Sequence, residues 1–441
     1  MSQTDYIVQP GGQLSGSFRV PGDKSISHRS IMFGSIADGT THVSGFLQGE
    51  DSLNTLRAFR AMGVEIEGPT AEGKVTIKGV GIDGLKAPAA PIDLGNSGTS
   101  IRLMSGLLAG QAFDVELSGD RSLSKRPMKR VTDPLALMGA RIDTAEGGKP
   151  PLKVHGGSKM QGIDYAMPMA SAQVKSCLLL AGMYASGTTC VTEPATTRDH
   201  TERMLNAFGY PVETSGNCMC ITGGGRLTAC DIDVPADISS AAFFLVAASI
   251  AENSDITLQH VGVNPTRTGV IDILRLMGAN IELQNQRMVG GEPVADIRVR
   301  SAKLQGIAVP EALVPLAIDE FPALFVAAAC AEGTTVVTGA EELRVKESDR
   351  IQVMADGLQA IGVDATPTED GMVINGGPIA GGRVHSRDDH RIAMAFTMAG
   401  LRASAPITIE DCANVNTSFP DFIGLASRAG IQVAIAWQSI S

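Results

Sequence analysis

The sequence predicts an α/β fold of two lobes, each built from three copies of one repeated unit, with helices buried and sheets facing outward. Three observations predict it. Six apolar helix-like runs recur along the chain, beginning at Lys24, Gly98, Ser171, Ser239, Phe321 and His390. Each leads through a small-residue turn and strand to a second helix that ends at a glycine. These glycines are Gly63, Gly139, Gly209, Gly278, Gly362 and Gly430, spaced 68 to 84 residues apart. Such a period means each copy is one supersecondary unit that needs its neighbours to bury its apolar face. Finally, the first helices are apolar nearly all round, which places them inside a lobe.

The elements follow from local chemistry. Asp23, Ser97 or Thr99, Ser171, Ser239, Asp319 and Asp389 stand at the starts of the first helices as N-cap candidates. The glycines after Met62, Met138 and Met277 sit where a residue following a helix takes positive φ. The next segments, VEIEG, ARID and ANIEL, alternate or are β-branched and read as strands. The stretch DIDVPADISS from Asp231 has the acidic and proline content of a crossover. It divides residues 23–235, with copies one to three, from a discontinuous lobe of 1–22 plus 236–441, with copies four to six. A cleft between the lobes is expected.

Composition narrows the function. With 441 residues the chain exceeds one core, and 44% hydrophobic with 19% charged residues fits a soluble globular protein. Aromatics at 4% leave no stacking platform for bases, and a net charge of −11 weighs against nucleic acid or an anionic membrane as partner. The start, MSQTDYIVQPGGQLSG, has no basic region followed by an apolar core, so no signal peptide is expected. The longest apolar run, from Ala241 to Ala251, is too short to span a bilayer. Seven cysteines, an odd number, show no paired framework. Cys218 and Cys220 alternate along a probable strand without a nearby histidine set, so no metal is expected and reduced thiols in a cytoplasm are.

The copies share apolar stripes and differ at the start of the first helix, where free N–H groups and the helix dipole favour anions. Copy one supplies Lys24, Ser25 and Arg29; copy two Asn96, Gly98, Thr99 and Arg102, then Arg121, Lys125, Arg126, Lys129 and Arg130. Copy three supplies Ser171, Gln173, Lys175 and later Arg198; copy five Lys346 and Arg350; copy six His390 and Arg391. Lys125–Arg130 read alone is a solvated charge run. Cations at equivalent points of five copies in an acidic chain instead point to a small, multiply anionic ligand, phosphate plus carboxylate. Asp319, Glu347 and Asp389 add carboxylates able to serve as general acid or base. Capping would equally explain Asp319 and Asp389, and Glu347 would equally pair with Arg350. No phosphate loop, dinucleotide fingerprint, zinc helix or nucleophile elbow occurs, and no cofactor is expected.

At PGDKSISHR, LGNSGTSIR, SGDRSLSKRPM, SAQVKS, RVKESDR and DDHRIAMA the chain resembles the enolpyruvyl transferase family, on the branch that acts on shikimate 3-phosphate. The resemblance covers nearly the whole chain with the motifs in order. It implies the two-lobed inverse αβ-barrel, and transfer of the enolpyruvyl group of phosphoenolpyruvate to shikimate 3-phosphate as lobes close. It implies that Lys24, Ser25 and Arg29 hold shikimate 3-phosphate, Lys24 also lying near phosphoenolpyruvate. Asn96, Gly98, Thr99, Arg126, Arg350, His390 and Arg391 match phosphoenolpyruvate contacts, and Ser171, Ala172 and Gln173 the element around both substrates. Asp319 matches the residue that takes the hydroxyl proton, Glu347 the proton donor, and Lys346 a substrate-binding lysine able to share in proton transfer. Gly98 is expected to leave space beside phosphoenolpyruvate, so that glyphosate inhibits and Gly98→Ala weakens inhibition. A monomer is expected.

The chain departs from the plant and enteric form. Thr417 stands where that form has a lysine, Glu342 where it has asparagine, and TTRDHT with Arg198 where it has a Ser/Tyr pair. These features resemble the second bacterial class and make Arg198 a candidate for the shikimate phosphate. The sister activity on UDP-N-acetylglucosamine needs a cysteine in the loop that here reads SGDRSLSKRP, and a silent anion-binding scaffold would not need Asp319 and Glu347.

Overall fold

The computed structural model describes residues 4–437. The chain forms two compact units, one of Met1–Pro21, Pro235–Met288 and Pro293–Ser441, the other of Gly22–Val234 with Val289–Glu292. They are called here the 235–441 unit and the 22–234 unit.

In the 22–234 unit the helices come in pairs: α1 (Lys24–Ile36) and α2 (Glu50–Ala61), α3 (Gly98–Ala109) and α4 (Lys129–Leu137), α5 (Ala172–Gly182) and α6 (His200–Ala207). The 235–441 unit repeats the pattern with α7 (Ile238–Ile250) and α8 (Gly269–Leu276), α9 (Phe321–Ala329) and α10 (Arg350–Ala360), α11 (His390–Ala399) and α12 (Phe422–Ala429). The first helix of each pair lies in its unit's core. Every residue of α7 and α11 is buried, as is every residue of α3 except Thr99. Each unit has its own apolar cluster, so each can fold around its own centre.

Small residues allow that packing. A Cβ on Gly106 in α3 would stand 2.1 Å from the carbonyl oxygen of Cys177 in α5. Only glycine lets those two backbones approach so closely. All six glycines that close the second helices take positive φ, from 75° at Gly209 to 114° at Gly430.

Each copy contributes one small sheet. In copy two, Ile92–Asp93 runs parallel to Val115–Ser118, which pairs antiparallel with the hairpin of Arg141–Ala145 and Lys149–His155. Alternation along Lys149–His155 buries Leu152 and Val154 and exposes Lys153, so one face meets the helices and the other meets water. The sixth sheet is completed from the other end of the chain. Thr4–Gly12 lies between Ile407–Glu410 and Ile431–Trp437, antiparallel to both.

Two of the expected caps differ. Asp23, Ser97, Ser171 and Asp389 accept from the first-turn amides of α1, α3, α5 and α11. In copy four Asp237, not Ser239, is the cap, accepting from Ser239 N at 2.8 Å. In copy five the helix starts after Glu320 and no side chain caps it. Pro322 in its first turn removes one of the amides a cap would serve.

Sequence spacing predicts no disulfide, but the structure forms one between Cys190 and Cys220. Sheet register decides it: Thr188–Thr192 and Cys218–Thr222 pair antiparallel with these two residues directly opposite. Among the described residues no helix is long and apolar enough to cross a membrane.

Candidate active site

In the 22–234 unit, side chains knit the first turns of α1, α3 and α5 together. Gln173 at the start of α5 donates to Thr99 Oγ1 at 3.1 Å and accepts from Arg102 at 2.6 Å, joining α5 to α3. Arg29 of α1 donates to Ser176 of α5 at 2.9 Å, to Thr201 of α6 at 2.7 Å and to the Ser25 carbonyl at 2.9 Å. His28 contacts Thr55 at 2.8 Å and Ser100 at 3.3 Å. Ser171 caps this cluster's third helix, and Ala172 and Ser25 sit half-buried in the first turns of α5 and α1.

Among the cations here Arg29, Arg102 and Arg126 are buried and Lys24 is half-buried. Lys24 pairs with Asp51 at 3.2 Å. Of the run Lys125–Arg130, Lys125 and Lys129 are exposed while Arg126 is buried and donates to Asn96 Oδ1 at 2.6 Å. Asn96 is held in turn by Asp120 at 2.8 Å. Burial lowers the Arg29 guanidinium to about 10, against the pull of Glu202 and Asp23, and half-buried Arg198 adds to the lowering. Burial, reinforced by Lys24 and Arg29, holds His28 well below the ordinary histidine value, so the ring is neutral.

Lys175 departs from the anion-site reading. It is buried between Glu193 at 3.1 Å and Glu202 at 2.8 Å, so its charge is cancelled within the core. The backbone of Gly98 is bounded by cations. A Cβ there would lie 2.8 Å from Arg126 Nη1 and 3.1 Å from Arg102 Nη1.

In the 235–441 unit the acid–base candidates gather on one guanidinium. Arg350, the first residue of α10, is 1% exposed and spans Asp389 at 2.8 Å, Asp319 at 3.3 Å and Glu347 at 2.6 Å. Burial opposes its charge, yet Asp389, Glu347 and Asp319 together raise its pKa above the ordinary arginine value. Arg350 matches a phosphoenolpyruvate contact by resemblance. In this structure its fork is engaged by carboxylates, and it positions Asp319 and Glu347. Lys346 bridges Asp319 at 3.6 Å and Glu342 at 2.8 Å.

Asp389 both caps α11 and accepts from Arg350 and Ser348, whereas Glu320, at the N-cap of α9, makes no side-chain cap bond. Capping therefore accounts for Asp389, while Asp319 pairs with Lys346 and Arg350. His390 and Arg391 are buried in the first turn of α11. Among the described residues the Arg391 side chain forms no ion pair or hydrogen bond, although it is 8% exposed. A buried guanidinium without a carboxylate is costly unless an anion joins it. Thr417 hydrogen-bonds the Asn414 carbonyl at 2.7 Å.

Ser176 and Thr201 hold Arg29, Asp51 holds Lys24 and Asp120 holds Asn96, and none of the four was singled out from sequence. Ser176, Asp120 and Thr201 lie within the segments SAQVKS, SGDRSLSKRPM and TTRDHT, whereas Asp51 is an ordinary helix residue until the fold places it.

The profile of the EPSP synthase (3-phosphoshikimate 1-carboxyvinyltransferase) family matches residues 8–425. The 3-phosphoshikimate 1-carboxyvinyltransferase of Alkalilimnicola ehrlichii is 70% identical over 428 residues, covering 97% of this chain and 96% of that protein. The enzyme of the same name from Methylococcus capsulatus is 69% identical over 431 residues, 98% of each chain. The solved EPSP synthase of Acinetobacter baumannii aligns with a TM-score of 0.88 at 61% identity, over 98% of this chain and all of that one. With the motifs in place and the match running nearly end to end, the chain belongs to the EPSP synthase family.

Proposed function

We propose that the chain transfers the enolpyruvyl group of phosphoenolpyruvate to the 5-hydroxyl of shikimate 3-phosphate, releasing phosphate, in aromatic amino acid biosynthesis. The observation that carries this is the family match over residues 8–425 together with the Asp319–Arg350–Glu347 arrangement. The sister reaction on UDP-N-acetylglucosamine is not favoured, since the loop SGDRSLSKRP has no cysteine.

The roles follow from charge and position. Lys24, Ser25, Arg29, Ser171, Ala172, Gln173 and Arg198 take shikimate 3-phosphate. Asn96, Gly98, Thr99, Arg126, His390 and Arg391 take phosphoenolpyruvate, whose phosphate and carboxylate suit buried guanidinium groups. Asp319 takes the 5-hydroxyl proton as its oxygen adds to C2, while Glu347 protonates C3, giving a tetrahedral ketal. Loss of phosphate then needs the C3 proton back, so Glu347 changes from acid to base. Arg350 fixes the two carboxylates on one planar fork, and Lys346 shares in proton transfer at Asp319. Closure around the bound substrates supplies proximity and a dry site.

The decisive assay is phosphate release from phosphoenolpyruvate with shikimate 3-phosphate, repeated with UDP-N-acetylglucosamine. Turnover with the first alone supports the reading; none with it overturns it. The reading includes a cytoplasmic monomer that binds no nucleic acid, for which light scattering at 45.9 kDa is the check on oligomeric state.

A further inference from the structure

The sheet of copy three carries a cluster the reaction does not use. Along Cys218–Thr222, Met219 and Ile221 are buried, while Cys218 and Cys220 lie on the opposite, outer face. On the neighbouring Thr188–Thr192, Val191 is buried and Cys190 shares that outer face. Register sets Cys190 directly opposite Cys220, and Cys218 one step along the same row of side chains. The three sulfurs all lie within 4.8 Å of one another, with Cys218 Sγ 3.8 Å from Cys220 Sγ. Two thiolates on one tetrahedral Zn2+, each about 2.3 Å from the ion, stand roughly 3.8 Å apart. The Cys218–Cys220 pair already has that separation, held by a strand and not by a loop.

Oxygen donors flank the sulfurs. Asp164 pairs in register with Cys190 on one side, and Glu213 with Cys220 on the other; both are exposed. Residues in register on adjacent strands have Cβ atoms about 5 Å apart on one face, within reach of a shared ion. Thiolates with a carboxylate or water make up a soft four-coordinate set.

We propose that Cys190, Cys218 and Cys220 form a three-thiolate site for a soft d10 metal ion of the Zn2+ class, gated by the Cys190–Cys220 disulfide. With that bond formed, two of the three ligands are consumed and the site is closed. A dithiol reductant opens it by exchange: the reductant becomes a cyclic disulfide, and Cys190 and Cys220 each gain a thiol proton. Metal binding then displaces the thiol protons to solvent. The outer face lies across the sheet from the buried side chains that pack toward α5, so metal occupancy leaves turnover unchanged.

The test uses the full chain with Cd2+ as spectroscopic probe. Reduced protein, in which all seven cysteines titrate as thiols, takes up one Cd2+ with ultraviolet thiolate-to-metal charge-transfer absorption, and Zn2+ displaces it. Protein with the disulfide formed, showing five thiols, gives no such band. Cys218→Ser, which leaves the disulfide intact, weakens binding by more than the roughly 10–100-fold typical of losing an outer-shell partner. Cys177→Ser, a buried thiol elsewhere, leaves binding unchanged. Fully reduced wild type that takes up no Cd2+, or Cys218→Ser that binds as tightly as wild type, overturns the proposal.

Discussion

Gly98→Ala tests whether the cations around α3 act as a set. The added Cβ would lie 2.8 Å from Arg126 Nη1 and 3.1 Å from Arg102 Nη1. Relaxed contacts need about 3.5 Å, so Arg126 must retreat by roughly 0.7 Å. The helix cannot yield instead, because Gly106 locks α3 against the backbone of α5. Displacement strains the 2.6 Å bonds from Arg126 to Asn96 and from Arg102 to Gln173. A hydrogen bond to a charged group is worth about 1.5–3 kcal/mol, so misplacing one guanidinium raises KM for phosphoenolpyruvate by about 10- to 100-fold. Alanine is a better helix former than glycine at this first-turn position, so the melting temperature should hold or rise slightly. The assay is phosphate release against phosphoenolpyruvate at saturating shikimate 3-phosphate, with glyphosate inhibition and calorimetry in parallel. KM and inhibition constant should rise together at constant stability. An unchanged KM, or a loss explained wholly by unfolding, refutes the argument.

Asp319→Asn keeps volume and hydrogen bonding but removes the base, so kcat should fall roughly 10²–10⁴-fold while shikimate 3-phosphate binding changes far less; equal losses in both would count against its role. Arg350→Met leaves Asp319, Glu347 and Asp389 without their shared cation and should cost about 3–5 kcal/mol in denaturant unfolding, whereas a near-neutral result would show that the fork is dispensable. Lys175→Met strands Glu193 and Glu202 in the core and should destabilise by a similar amount, read as a lowered melting temperature with KM values unchanged in protein that remains folded. His28 has a folded pKa below its unfolded value near 6.5, so the unfolded chain binds the proton first. Stability is therefore lost as pH falls below about 6.5, by up to about 1.4 kcal/mol per pH unit, and His28→Asn should flatten that slope of unfolding free energy against pH.

What was legible and what was not divides along one physical line. Apolar periodicity and closing glycines are local, so the six helix pairs could be read from the chain, with caps correct where a Ser or Asp directly precedes the run. Partnerships are not local. Lys175 and Arg391 look alike in sequence, each a cation early in an apolar helix. Glu193 and Glu202 cancel the first, while among the described residues the side chain of the second, buried, forms no ion pair. Copy four makes the same point. Its Asp237 and Ser239 meet Arg267, Ser239 meets Glu320, and Glu320 lies 3.8 Å from Arg267, so the charges of that corner pair with one another. A repeat corner becomes a ligand site when its charges do not cancel within the fold. That balance depends on residues dozens of positions away: 28 separate Arg267 from Ser239, and 39 separate Arg350 from Asp389. Copy four pairs its charges internally, whereas copy six leaves the Arg391 side chain without an ion pair among the described residues, which supports its proposed role toward an anion. The single substitution that would separate the cases is Arg391→Met, which should abolish phosphoenolpyruvate binding without the stability loss that Arg267→Met incurs. Equal destabilisation by both would mean that Arg391, too, is spent on the fold.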